Sequence, residues 1–210
     1  MLALCAMCEL WRGDLSACVA TCQRAAATAE RVWGPFVFCI SESMSAFSRF
    51  MLTREPKQYE RLCRAVDWLE TRSMGLYLSM AYGCAAQASL LAGQPERARV
   101  AAERALGRAA ESDPFGEVIA YRVFAELRAA ESGRLDEQVA TWLQWADAAA
   151  RSRGTQRELA LNKLCHARIL ARTGQPEAAA ELLASARHEL LRMKAVLHEH
   201  AQLVPSENTL

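Results

Sequence analysis

Apolar and polar positions along the chain alternate with the period of an α-helix. One clear stripe is formed by Tyr59, Leu62, Val66 and Leu69, whose spacing of three and four residues places them on one helical face. Short turns containing Gly, Pro or Asp separate ten such stretches, and no alternation of period two competes with them. The pattern therefore predicts an all-α protein of ten helices.

The same turn sequence, Gly-Gln-Pro-Glu, occurs at residues 93–96 and again at residues 174–177. In each copy the Gly ends one helix and the Pro opens the next. Further turns at Gly13, Glu55-Pro56 and Gly133 complete a series with a period of about 40 residues, which is typical of stacked helix pairs.

This period predicts five antiparallel helix hairpins in a right-handed superhelical solenoid. The repeat domain is expected to span residues 1–202, followed by a flexible tail at 203–210. The expected hairpins are 1–33, 35–72, 74–112, 114–153 and 155–200. Because a single hairpin cannot bury its apolar face alone, neighbouring hairpins must stack.

Small or apolar residues recur at the fifth, ninth and twelfth positions after a turn Gly. These positions share one helical face and let paired helices approach closely. They are Cys18, Cys22 and Ala25; Ala98, Ala102 and Ala105; and Ala179, Leu183 and Ala186. After Gly133 the stripe is shifted by one residue, to Val139, Leu143 and Ala146.

This spacing resembles that of tetratricopeptide (TPR) repeats over most of residues 1–200. The long period is similar to the TPR-like tails that follow an ATPase module in bacterial adenylate/guanylate cyclases and in LuxR-type maltose-activator regulators. Residues 116–127 are similar to the segment that such tails place after a long helix, where an acidic residue precedes a Tyr-Arg or His-Arg pair. Residues 158–174 resemble their last full repeat. The resemblance implies a fold built for packing and a regulatory role, with any attached ATPase, cyclase or DNA-binding domain outside these residues.

Three acidic residues are placed to cap helix N-termini. Asp14, Asp113 and Asp136 each precede a helical stretch, and Asp113 is followed by Pro114 at the expected start of the seventh helix. Residues 155–158, Thr-Gln-Arg-Glu, have the pattern of a capping box for the ninth helix.

Composition and charge exclude several classes of function. The formal net charge is +1, and acidic and basic residues are mixed along the same segments, so the chain lacks the basic footprint of nucleic-acid binding. No apolar run approaches the roughly 20 residues of a membrane span. The N-terminus lacks a secretory signal pattern, so we expect a cytoplasmic protein with reduced thiols. No phosphate-binding loop or nucleophile motif occurs, and no cofactor is predicted.

Four of the eight cysteines offer an alternative to pure packing. Cys5 and Cys8 lie before the turn at Gly13, and Cys18 and Cys22 lie after it. Four thiolates on paired helices can in principle bind zinc or form a redox pair. Against this, Cys18 and Cys22 occupy the helix interface positions, where Cys often serves as a small core residue.

The expected binding surface is the concave face formed by the first helix of each hairpin. By repeat position it contains Gln87, Tyr121, Phe124, Arg128, Arg168 and Arg172, with Ser43 and Phe47 as further members. Aromatic and Arg side chains suit recognition of a peptide or an acidic segment. Of two nearby tryptophans, Trp142 is expected in the core, while Trp145 is open to either packing or binding.

These features predict a non-enzymatic protein-interaction or sensor module, the C-terminal part of a larger bacterial signalling or transcription-regulating protein. A partner segment or small effector in the groove would change the curvature of the repeats. A free-standing TPR adaptor and a zinc or redox sensor are the alternatives. The apolar helix at residues 1–11 is a further candidate for self-association.

Overall fold

A computed structural model describes residues 1–111 and 113–193. These residues form ten α-helices and no β-strand, which confirms the all-α class. The helices are α1 (Leu2–Arg12), α2 (Leu15–Arg31), α3 (Pro35–Thr53), α4 (Pro56–Thr71), α5 (Leu78–Leu91), α6 (Pro95–Glu111), α7 (Glu117–Ser132), α8 (Glu137–Ser152), α9 (Gln156–Arg172) and α10 (Pro176–Arg192). The predicted tail at 203–210, and the end of the hairpin expected at 155–200, lie outside the described residues.

Consecutive helices pack against each other along the whole described chain. The odd-numbered helices make additional contacts with one another: α1 with α3, α3 with α5, α5 with α7, and α7 with α9. The odd-numbered helices therefore follow one another through the molecule, and each even-numbered helix packs beside them.

The turns that set the period have left-handed backbone conformations. Gly13, Gly93, Gly133 and Gly174 have φ angles of 79°, 69°, 66° and 81°. At the turn without a Gly, Arg54 takes this conformation with φ 57°. The five positions are separated by 41, 39, 40 and 41 residues. A residue in this conformation ends one helix, and the next helix begins shortly after it. These five positions therefore set the period of about 40 residues.

The helix faces predicted from the small residues are buried. Eight of the nine residues at the fifth, ninth and twelfth positions after Gly13, Gly93 and Gly174 are buried, and Leu183 is half-buried. The shifted stripe of α8, from Val139 to Ala146, is buried as well.

Helix α5 lies at the centre of the fold. It is apolar on every face, and its residues from Leu78 to Ala86 are all buried. It contacts α3, α4, α6 and α7 together with a 3₁₀ turn, Pro114–Gly116, that leads into α7. An all-apolar helix is stable in water only when it is covered on all sides.

The chain entering α7 also caps the start of α5. Asp113 Oδ2 accepts a hydrogen bond from the Ser79 backbone N–H at 2.8 Å. Ser79 Oγ donates to the carbonyl of Ala105 at 3.0 Å and accepts from the Gly116 N–H at 3.1 Å. Helices α5, α6 and α7 therefore meet at one hydrogen-bonded junction.

The predicted role of Asp113 is correct in part. Its Oδ1 accepts from the Phe115 N–H at 3.4 Å, as a cap does, but the element it caps there is the 3₁₀ turn rather than α7. Burial raises the pKa of Asp113, opposed by the backbone N–H groups that it accepts from. Phe115 lies 5.2 Å from Trp11 of α1, measured between ring centroids, so the junction also contacts the first helix.

The other caps give one correction. Asp14 and Asp136 cap α2 and α8 by accepting backbone N–H groups at 3.0 Å, as predicted. The prediction of a capping box at residues 155–158 is wrong, because the Thr155 side chain makes no cap hydrogen bond to α9. Thr155 Oγ1 instead donates to the Ala150 carbonyl at 3.0 Å, while Glu158 pairs with Arg122 of α7, because the buried guanidinium requires a counter-charge.

Within the described residues, no helix has both the length and the apolar character that crossing a membrane requires.

The junction predicts a strong effect of Gly116→Ala. An added Cβ would lie 1.9 Å from the Ser79 carbonyl oxygen, so the backbone must shift. We expect the free energy of unfolding, measured by urea denaturation, to fall by about 2 kcal/mol or more.

Gly107→Ala in α6 is the matched control. No atom lies within 4 Å of its added Cβ, so Ala should raise the stability by up to about 1 kcal/mol through its helix propensity. Equal effects of the two substitutions would contradict the close approach at Gly116.

Candidate functional site

Three clefts lie in equivalent places along the fold. Each lies over one odd-numbered helix and between the even-numbered helices on either side. We name them by the helix beneath: the α5 cleft between α4 and α6, the α7 cleft between α6 and α8, and the α9 cleft between α8 and α10. Their volumes are about 370, 560 and 230 Å³, respectively.

The α7 cleft combines an aromatic floor with a charged rim. Phe124 of α7 and Trp142 of α8 stack with their ring centroids 4.9 Å apart, and Leu106 of α6 adds apolar surface. The rim consists of Arg99, Glu103, Arg128, Glu131 and Gln138. An apolar floor with polar groups around it is the usual character of a site for a ligand or a partner side chain.

Two further aromatic residues extend the floor along α7 and α8. Trp145 lies 5.0 Å from Trp142 in an edge-on arrangement, and Tyr121 lies 5.7 Å from Trp145. Trp142 is partly buried and packs on the core, as predicted. Trp145 is 47% exposed, so it offers a large aromatic surface next to the cleft.

The rim charges are paired across helices. Arg99 of α6 pairs with Glu131 of α7, and Arg128 of α7 pairs with Asp136, the cap of α8, at 2.9 Å. Exposed pairs of this kind contribute little to stability. A partner can therefore exchange them for its own charges at small cost.

The residues predicted for the concave face fall into two groups. Phe124 and Arg128 line the α7 cleft, and Tyr121 lies beside it. Arg168 and Arg172 of α9 lie elsewhere, and Gln87 is half-buried on α5. Of the six residues predicted for the concave face, the structure therefore brings three together at the α7 cleft, between α6 and α8.

Arg168 and Arg172 share one partner. Both pair with Glu126 of α7, and Arg172 Nη2 lies 3.5 Å from Glu126 Oε2. These arginines link α7 to α9. The additional members Ser43 and Phe47 are buried, with 2% and 4% exposure, so their assignment to a binding surface is wrong. The near-complete coverage of α3 explains the difference.

A second polar group joins α7, α8 and α9. Arg122 Nη1 donates to Glu158 and to Asn162 Oδ1, at 2.6 and 2.9 Å. Asn162 Nδ2 donates in turn to Asp147 of α8 at 2.9 Å. Burial by itself raises the pKa of Glu158, but the charges of Arg122 and Arg157 outweigh it, so the pKa is lowered.

The N-terminal cysteines do not converge. Cys5 and Cys8 are exposed, whereas Cys18 and Cys22 are buried with their sulfur atoms 3.9 Å apart. The hydrogen bond between the two thiols raises the pKa of Cys22, as does its burial, and the same bond lowers the pKa of Cys18. No group of three or more His, Cys, Asp or Glu side chains suited to a metal occurs in the part of the chain described.

The first helix exposes part of its apolar surface, since Leu4 and Trp11 are 45% and 37% exposed. Met1, before α1, and Val32 and Trp33, after α2, are exposed as well, and a small apolar cleft nearby includes Leu2 and Val37. Self-association through this region stays a prediction.

No protein-family model, curated protein or solved structure matches the chain. The candidate site is therefore defined by its geometry. Repeat position alone identifies Phe124 and Arg128. It missed Arg99, Glu103 and Gln138 because they lie on the even-numbered helices, which a concave-face assignment leaves out.

The buried pair between Arg122 and Glu158 predicts a pH dependence. The folded-state pKa of Glu158 is lowered from its usual 4.5. The ionised carboxylate therefore stabilises the folded protein above pH 4.5, and this stabilisation is lost as the pH falls below that value. At neutral pH we expect Glu158→Gln to lower the free energy of unfolding by about 2 kcal/mol.

Urea denaturation between pH 3 and pH 7 checks this. The difference between the two proteins should shrink toward the acid end. Glu111→Gln, which removes an exposed pair with Arg108, should show no such trend. A constant difference for Glu158→Gln across the whole range would contradict the ion pair.

Proposed function

We propose that the chain is a non-enzymatic protein-interaction module that binds a partner segment in the α7 cleft. In this proposal its ten helices form five TPR-like hairpins in a right-handed superhelical solenoid. The module serves either as the regulatory part of a larger bacterial signalling or transcription-regulating protein or as a free-standing adaptor. The same cleft serves in both settings.

The spacing of the turns supports the repeat architecture. The left-handed residues at the five turns from Gly13 to Gly174 recur every 39 to 41 positions, and those at Trp33, Ser73 and Gly154 lie about midway between them. Each odd-numbered helix through α7 contacts the next odd-numbered helix. Stacked helix pairs give this order of contacts, since each pair adds to the last with a constant step. Equivalent clefts over α5, α7 and α9 are a further expected result of a repeated step.

The observation that carries the functional proposal is the open aromatic floor of the α7 cleft. Aromatic side chains bind a partner with large contact area and little loss of conformational entropy. Phe124 and Trp142 are held by mutual stacking, so they are arranged before a partner arrives. The cleft suits an apolar or aromatic side chain, flanked by charged residues that meet Arg99, Glu103, Arg128 and Glu131.

Partner binding in the α7 cleft has a physical route to regulation. The α7 cleft is bounded by α6 and α8, and an occupant that widens it changes the angle between successive hairpins. This change of curvature biases whatever domain is attached to the module.

A substitution that fills the cleft tests the proposal. Gln138 is exposed on α8 and lines the cleft, so Gln138→Trp should block it without affecting the core. A random peptide library is selected on the unchanged protein, and the selected peptides are measured for binding to each variant. We expect peptides with an apolar or aromatic anchor whose affinity falls about tenfold or more on the blocked protein.

Gln144→Trp is the matched control, since Gln144 is also exposed on α8 but does not line the cleft. It should leave peptide binding unchanged. Peptides that bind both variants as well as the unchanged protein would place the interaction elsewhere and overturn the proposal.

A further inference from the structure

The α5 cleft has the size and lining of a small-molecule site. Its floor is α5, and its walls are α4 and α6. Val66, Ala85, Val100 and Ala101 supply a mostly apolar surface within about 370 Å³. This volume lies at the lower end of the range for ligand pockets, so the cleft fits a small molecule better than a folded partner.

Two buried tyrosine hydroxyls lie at the cleft, that of Tyr59 in the α4 wall and that of Tyr82 in the α5 floor. Tyr59 Oη lies 3.0 Å from Ser89 Oγ, and both are buried. Tyr82 Oη is buried and makes no hydrogen bond of normal geometry within the described structure, although Glu70 and Arg104 lie beside it. Burial and the Glu70 carboxylate raise the pKa of Tyr82, so its hydroxyl keeps its proton.

The walls carry opposite charges without ion-pair partners. On α6, Arg99 and Arg104 pair with glutamates. Arg97, two residues before Arg99, makes no ion pair among the described residues and lies beside the Tyr59 hydroxyl. On α4, Asp67 likewise makes no ion pair there. Arg97 and Asp67 both line the cleft, so each is available to a bound molecule.

This combination selects the charge of the ligand. A simple anion would meet Arg97 but also the carboxylates of Asp67 and Glu96, which line the same cleft. A simple cation would meet Arg97 unfavourably. A molecule with one carboxylate and one ammonium group satisfies both walls, and its apolar part covers the surface between them.

We propose that the α5 cleft binds a free apolar α-amino acid. The carboxylate lies toward Arg97, the ammonium group lies toward Asp67, and the side chain packs over Val66, Ala85 and Val100. This site is separate from the α7 cleft, and neither proposal depends on the other. The two clefts share α6 as a wall, which gives an amino acid a physical route to the partner site.

The test is an NMR titration of the ¹⁵N-labelled full chain with three related probes. L-Leucine carries both charges, N-acetyl-L-leucine lacks the ammonium group, and L-leucinamide lacks the carboxylate. Leucine should shift amide signals of α4, α5 and α6 around the cleft. Each derivative should bind about threefold to fivefold more weakly, as expected for one charged contact at a solvent-exposed rim.

Two variants assign each charge to its wall. In Asp67→Asn, leucine and N-acetyl-leucine should bind equally well, because the contact to the ammonium group is gone. In Arg97→Gln, leucine and leucinamide should bind equally well. Arg64→Gln, on α4 but outside the cleft lining, should keep the preferences of the unchanged protein.

The proposal is overturned if leucine shifts no cleft signals at millimolar concentration, or if Asp67→Asn and Arg97→Gln leave the order of the three probes unchanged.

Discussion

The fold depends on the close approach between α5 and the chain segment that enters α7. Only hydrogen atoms fit between Gly116 and the Ser79 carbonyl, and Gly83 one turn later lies against Gly116 as well. This contact lets Asp113 cap α5 and lets Ser79 bond to both α6 and Gly116. It joins three helices around the most buried element of the protein. The α5 and α7 clefts lie on either side of α6, so their shapes depend on this junction.

The sequence carried enough information for the helices and most of their turns, because both are local. Left-handed turns at Gly13, Gly93, Gly133 and Gly174 follow from the freedom of glycine at positive φ. The turn at Glu55-Pro56 was predicted, but the left-handed conformation of Arg54 was not, since nothing in its side chain favours that conformation. Thr155 and Glu158 matched the local pattern of a capping box, but Glu158 instead forms an ion pair with the buried Arg122, which is 36 residues away in the sequence. Contacts at such distances are set by packing and leave no local signal.

The candidate site was predictable to a smaller extent for the same reason. Repeat position identified Phe124 and Arg128, but it could not show that they lie in a cleft bounded by α6 and α8. Arg168 and Arg172 are of a residue type that is common in binding surfaces, yet both pair with Glu126. Whether an arginine forms an ion pair, as Arg168 does, or none among the described residues, as with Arg97, depends on side chains from other helices. The shared wall α6 likewise connects the proposed small-molecule site with the proposed partner site, a link that sequence spacing does not indicate.

The most direct measurement of the central junction is amide hydrogen exchange at Ser79. An N–H group in the first turn of a helix normally has no partner within that helix and exchanges quickly. Here Asp113 accepts this N–H at 2.8 Å, and Ser79 is fully buried. The account predicts that the Ser79 amide exchanges as slowly as the Ala86 amide inside α5. Exchange as fast as that of the Arg97 amide, in the exposed first turn of α6, would contradict it.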